Sequence, residues 1–326
     1  MKRLLVVCAA ALLPCFLVSA QEADNSGTGV GLSVIPRLDL SPQIIDGKGD
    51  FTLGNSSLYS LFEGDLTEHL SFSVENHWLS DEPKYLYQNT FHSDDVNWLD
   101  WAYLTYTADR WDFSLGKDMV TTGGLEFDDY DFEVHLPLTS TLWNFFACYQ
   151  WGGKVGYTLP SGNDAFHVQF TTSPFGEKPF KSGLFNYSLE WRGTHGIVET
   201  IWSATAVQTD DDRFFPLVSL GQRFDLGDWT VGLDLTNGSC MSDDLVSGLI
   251  AMPSVSYSPS ESVEIFAKGG WETVFDNGDN FAWGGAGVHW YPIDNLRVHA
   301  LAAYDDLTRT VTLSAGLLYN LTFKIR

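Results

Sequence analysis

Residues 311–325 alternate between two kinds of side chain with a single exception. Val311, Leu313, Ala315, Leu317, Tyr319, Leu321, Phe323 and Ile325 hold one parity, all apolar. Thr310, Thr312, Ser314, Gly316, Asn320, Thr322 and Lys324 fill the other, and only Leu318 breaks it. A strand turns successive side chains to opposite faces, so this segment is greasy on one side and wet on the other. It exceeds the about 5–6 residues of a common globular strand and reaches the roughly 9–11 that cross a bilayer at a tilt. With an aromatic residue near the end of the chain, the pattern predicts the closing strand of an outer-membrane β-barrel. The competing fold is a long half-buried strand in a soluble sandwich.

The opposite end agrees. Lys2 and Arg3 precede an apolar run over 4–18, and Val18-Ser19-Ala20 has the small-x-small pattern of a cleavage site. Residues 1–20 are therefore expected to be a secretory signal, leaving 21–326 as one outer-membrane domain. No other stretch reaches the roughly 18 apolar residues of a membrane helix, but an exported chain without one can still span a membrane as a closed barrel. Hydrophobic residues make up 44% of the chain, too few for a helical membrane protein, while 12 Trp and 30 Gly suit an all-β one. Acidic residues outnumber basic ones 42 to 18, so no basic patch could hold nucleic acid against the acidic field. Cys148, where the long third loop rejoins the wall, and Cys240, in the loop after the eleventh strand, are expected as free thiols rather than a bridge.

From residue 29 onward about 16 alternating segments follow one another. Short connectors at 65–69, 108–110, 160–164, 193–196, 225–228, 259–262 and 292–295 carry the Gly, Pro, Asn and Asp that tight turns need. The connectors between them are expected to be the longer, outward ones, the longest at 120–147 after the fifth strand. Strands near Phe51, Trp98, Val198 and Phe281 alternate poorly, so counts of 14 or 18 also fit. The expected fold is an all-β transmembrane antiparallel barrel whose environment is outer-membrane lipid.

The middle of the chain resembles the phosphate-selective-porin O/P-like family of Bacteroidetes-type outer membranes. Leu115-Gly116-Lys117, Gly123-Gly124-Leu125-Glu126-Phe127-Asp128 and Thr172-Ser173-Pro174-Phe175-Gly176-Glu177 carry the resemblance, in that order. It implies a 16-stranded porin of a bacterial outer membrane, with a third loop folded into the lumen and a possible homotrimer. It also implies phosphate as solute, and here the sequence departs from it. A phosphate pathway needs a ladder of inward Arg and Lys, which this chain is too poor in cations to build.

Parity selects the lumen wall: Arg37, Glu75, Lys154, Asp234, Glu264, Lys268 and Arg297, with Asp39, His77, His167, Gln169, Glu190, Arg192, Glu272 and His299 on the same inner face. Mixed charge there predicts water inside, because an unpaired buried ion costs several kcal/mol or more. Glu126, Asp128, Asp129, Asp131 and Glu133 crowd the long third loop. If that loop folds inward, they form the negative wall of a constriction, with Arg37, Lys154 and Lys268 across from it. If it does not, they are a solvated loop. Further acids in other outward connectors, such as Asp94-Asp95 and Asp305-Asp306, would give a negative mouth. Signatures of metalloprotease, hydrolase elbow, P-loop and CxxC are missing, so neither an enzyme nor a cofactor is expected. The sequence thus predicts a diffusion channel for ions and small polar solutes that prefers cations or neutral molecules. The alternative is a closed barrel acting as surface receptor or structural protein.

Overall fold

Alternation repeated over 16 segments closes one sheet on itself. The computed structural model describes residues 29–79, 99–146, 148–176, 181, 183–210, 213–239, 246–275 and 278–325. β1 is Val30–Ile45, and β2 comes in two pieces, Lys48–Thr52 and Ser57–Asp65. Then come β3 Leu70–Leu79, β4 Leu99–Ala108, β5 Trp111–Met119, β6 Tyr149–Thr158, β7 Asp164–Thr172 and β8 Phe185–His195. β9 is Val198–Asp210, β10 Arg213–Asp225, β11 Trp229–Ser239, β12 Val246–Ser260 and β13 Val263–Val274. β14 Asn280–Ile293, β15 Leu296–Asp305 and a two-piece β16, Thr310–Tyr319 and Leu321–Lys324, complete the ring. Sequence neighbours pair antiparallel throughout, and β1 closes against β16 with Leu38 opposite Leu317 and Leu32 opposite Phe323. The barrel therefore has 16 strands. The signal segment, Cys240 and the pair Asp94-Asp95 fall outside the described residues.

The closing strand keeps the parity read from its sequence. Leu313 is 53% exposed on the outer face while Thr312 beside it is 3% exposed on the inner one. Leu115, Val168, Leu189 and Ile265 extend the same bare apolar face around the ring. An exterior of this kind is stable against lipid and not against water. Aromatic pairs mark its lower rim beside the short turns: Trp111 lies 4.6 Å from Tyr157 and Trp229 lies 4.5 Å from Tyr257. Amphipathic rings sit well at the lipid–water boundary, and they fix the depth of the barrel.

Two features differ from expectation. The outward connections are not all long: β1 and β2 run up to a two-residue turn, Asp46-Gly47, with φ of 46° and 76°. Positive φ at both positions gives the mirror-image turn that a twisted hairpin favours, and Asp-Gly is its usual sequence. β2, expected to be continuous, is interrupted at 53–56, where Gly54 adopts φ 55° and the Ser56 amide bonds back to Leu53 O at 3.0 Å. The interruption leaves Asn55 free of the ladder to reach inward.

Because the two faces of β16 differ so sharply, Leu313→Arg should lose about 2–4 kcal/mol of stability and assemble poorly. Thr312→Arg should leave most of the barrel folded. Heat-resistant migration on a denaturing gel measures both, and equal loss in the two variants would contradict the assigned faces.

Candidate functional site

A 16-stranded barrel is too wide for its own inward side chains to fill. Here the third outward connection, residues 120–148, turns into the lumen and occupies much of it. It contains a short 3₁₀ turn, Leu136–Leu138, and one helical turn, α1, Thr141–Phe145. The loop is drawn in by apolar burial. Val120, Phe127, Leu138, Leu142 and Phe146 pack into a dry cluster with inward side chains of β9 to β15, among them Val207, Leu217, Ile250, Met252, Phe281 and Trp283. Each such side chain gains about 1.5–3 kcal/mol on burial, so the inner wall is apolar where the loop rests. This explains the poor alternation near Val198 and Phe281. Likewise Trp101, 8% exposed on β4, lies beneath Tyr130 of the loop. A smaller cluster seats Phe132 against Ile35, Tyr59 and Leu318, and so accounts for the lone irregularity of the closing strand.

Polar latches fix the loop's path. Gly123 and Gly124 take φ of 69° and 82° and bring the backbone against β9 and β11; a Cβ on Gly123 would lie 2.2 Å from Ser203 Oγ. Asp234 then accepts from two successive loop amides, Leu125 N at 2.7 Å and Glu126 N at 2.8 Å. The Glu126 carboxylate accepts from Ser140 N at 2.9 Å and Ser140 Oγ at 2.5 Å. Glu272 does the same for Thr141, accepting from its N at 2.9 Å and its Oγ1 at 2.5 Å, and also takes Trp283 Nε1 at 3.0 Å. Together they satisfy amides at the start of α1 that its single turn leaves without partners. Arg37 donates to Phe132 O at 2.8 Å and Val134 O at 2.6 Å, and Asn55 Nδ2 donates to Val134 O at 2.7 Å.

The five loop acids therefore have different fates. Glu126 is buried and engaged as above, with Lys268 Nζ at 3.4 Å. Asp128 meets Arg192 at 2.6 Å, and Glu133 pairs with Arg297. Asp131 accepts from Tyr149 OH at 2.8 Å, and burial pushes its carboxyl up to about 6. Asp129 is exposed, as is Asp128, and alone of the five makes no side-chain hydrogen bond or ion pair with the described residues. It borders two water-accessible cavities on the short-turn side of the loop. One, about 270 Å³, is lined by Glu63, Asp118, Lys154 and Arg192; the other, about 380 Å³, by Arg223, Glu264, Ser254 and Lys268.

The wall residues fall into two groups. Lys154, Lys268 and Glu264 border the cavities, as parity suggested. Arg37, Glu75, Asp234 and Arg297 were expected to face water in the lumen, but they are 0–4% exposed and covered by protein. Arg37 consequently presents no positive face across the loop; its charge holds loop carbonyls and Asp39, the latter at 3.0 Å. Cys148 is free and packs against the apolar cluster. Sequence reasoning missed Ser140 and Thr141, although Ser-Thr before an apolar turn is a helix-start signature. It also missed His135, which carries no local signal.

A search of family models and one of curated proteins each gave no match. Solved structures do resemble the chain. The anion-selective porin of Comamonas acidovorans superposes with TM-score 0.67 at 10% identity, over 90% of this chain and 100% of the other. The Vibrio cholerae outer-membrane protein OmpT, in a form lacking loop L8, gives 0.63 at 12% identity over 91% and 100%. The outer-membrane channel DcaP of Acinetobacter baumannii gives 0.59 at 13% identity over 94% and 100%. The class defined is the 16-stranded outer-membrane barrel. At these identities the likeness is one of fold.

The Asp234 latch has a measurable weight. Asp234→Ala leaves two buried loop amides without acceptors, each costing about 1–3 kcal/mol. The variant should unfold in urea at a clearly lower midpoint than the parent. An unchanged midpoint would mean that the latch contributes nothing.

Proposed function

We propose that the protein is an outer-membrane porin: a channel for passive diffusion of ions and small polar solutes, exported by the segment at 1–20, with cations or neutral molecules favoured. It does no chemistry in this reading, and three copies associate in the membrane. The observation that carries it is Asp129, a carboxylate of the lumen loop that borders both cavities and has no side-chain partner among the described residues. A fixed negative charge where the path is narrow raises the local concentration of cations and opposes anions. The acidic excess of the whole chain, net −24, acts in the same direction.

Phosphate selection, implied by the family resemblance, finds little support. Arg37, Lys154, Arg192, Arg223, Lys268 and Arg297 each meet a carboxylate. Cations already paired make a poor ladder for an anion. That one structural neighbour is an anion-selective porin fits this, since a shared barrel leaves selectivity to the side chains within it. The dry cluster between loop and wall favours the second reading, a closed barrel serving as receptor or scaffold.

Planar-bilayer recording of the purified protein tests the proposal. Discrete conductance with a reversal potential toward the cation equilibrium value under a salt gradient is expected; no conductance at any voltage supports the closed barrel instead. Asp129→Lys should shift the cation-to-anion permeability ratio several-fold toward anions while leaving assembly intact. The same substitution without effect would remove Asp129 from the pathway.

A further inference from the structure

Around His135 the loop meets the wall through a chain of hydrogen bonds whose proton positions are dictated by its ends. Arg37 Nη2 can only donate, so His135 Nδ1, 3.1 Å away, must be the acceptor and carries no proton. His135 is then neutral with its proton on Nε2, which it donates to His289 Nε2 at 2.9 Å. His289 must in turn hold its proton on Nδ1, which points at Glu264 Oε2 at 3.0 Å. Neither imidazole can take a second proton without setting two N–H groups against each other.

The surroundings oppose that proton as well. His135 is 8% exposed and stacks on Phe266 of β13, the rings 8° from parallel. Arg37 of β1 and Arg297 of β15 stand nearby, and burial together with these two cations holds its imidazole well below the ordinary histidine range. His289 of β14 and His299 of β15 complete the cage, with ring centroids 5.2 Å and 5.1 Å from that of His135. The acids in the neighbourhood are already engaged: Asp39 with Arg37 and His299, Glu133 with Arg297, Glu264 with His289. Tyr291 lies at the edge of the group, beside His289.

We propose that this relay is an acid-sensitive latch: protonation of His135 and His289 releases residues 133–138 of the lumen loop from the β13–β1 wall. The sign follows from linkage. The docked loop excludes a proton that a released His135 binds below pH about 6.5, so docking is complete above that value and weakens as pH falls, by up to tenfold per unit for each proton taken up. The released segment moves within the lumen and turns a steady current into a fluctuating one. This electrical readout rests on the channel reading; hydrogen exchange does not, so the two can fail separately.

His135→Gln isolates the latch. A Gln amide can accept from Arg37 through its oxygen and donate to His289 through its nitrogen, but it does not titrate in this range. Asp131, the other loop group that titrates near the same pH, is unchanged in the variant. Hydrogen–deuterium exchange over 133–138, corrected for intrinsic rates, should rise at least tenfold between pH 7.5 and 5 in the native protein and by a clearly smaller factor in His135→Gln, where His289 is the one member of the pair left to titrate. His135→Ala should exchange fast at both pH values. Heat-resistant migration certifies that each variant is folded. In bilayers the native channel should flicker at pH 5 and not at 7.5, and His135→Gln should flicker markedly less at pH 5 than the native channel. An acid response of equal size in native and Gln proteins overturns the latch, as does its absence from the native protein.

Discussion

Within the hydrocarbon layer no water satisfies a backbone amide, so a sheet that crosses it must close, and the rest of this structure depends on that closure. Sixteen strands enclose more space than inward side chains can fill. The chain fills it with its own third outward connection, and doing so changes what the wall must be. Where the loop rests, inward positions are Val207, Leu217, Ile250 and Phe281 rather than the Ser and Thr of a wet lumen. Where water remains, they are Lys154, Arg192, Ser254 and Lys268. The inner surface is thus divided between a dry dock and a hydrated path.

Charge inside the barrel is mostly spent on architecture. An ion removed from water stays charged only when partners replace its hydration, and nearly every inward ion described here has such partners. Asp234 and Glu272 are occupied by backbone amides of the loop, Arg37 by its carbonyls. Glu75 is the contrast: fully buried, with both carboxylate oxygens lacking a hydrogen-bond partner among the described residues. Counting charges along the lumen therefore overstates what a passing solute meets.

The barrel itself was legible because its period is two and its lipid face is apolar without relief; 16 segments and most turns follow from that alone. The third loop's inward fold was legible only in part, from its length, its aromatic residues and the Gly123-Gly124-Leu125-Glu126 motif. What alternation could not give was the loop's resting place, since a docked loop replaces polar inward residues with apolar ones and erases the very signal being read. Phe281 and Leu318 looked like defects of pattern and are contact points. The fates of Glu126, Asp128, Asp129, Asp131 and Glu133 were likewise hidden. Five carboxylates within eight positions look alike until partners from β8, β13, β15 and β6 single out the unpaired one.

The contacts of residues 132–135 also bear on how the ring is sealed. The seam between β1 and β16 joins the two ends of the described chain, and bringing such distant segments together carries the largest entropic cost of any pairing in the sheet. Phe132 wedges against Ile35 on one side of that seam and Leu318 on the other, while Arg37 and Arg297 grip the loop from β1 and β15. A segment from the middle of the sequence thus stitches first strand to last from within. Closure and loop docking become one cooperative event, and a barrel of this sequence has reason to zip shut only around its own filling.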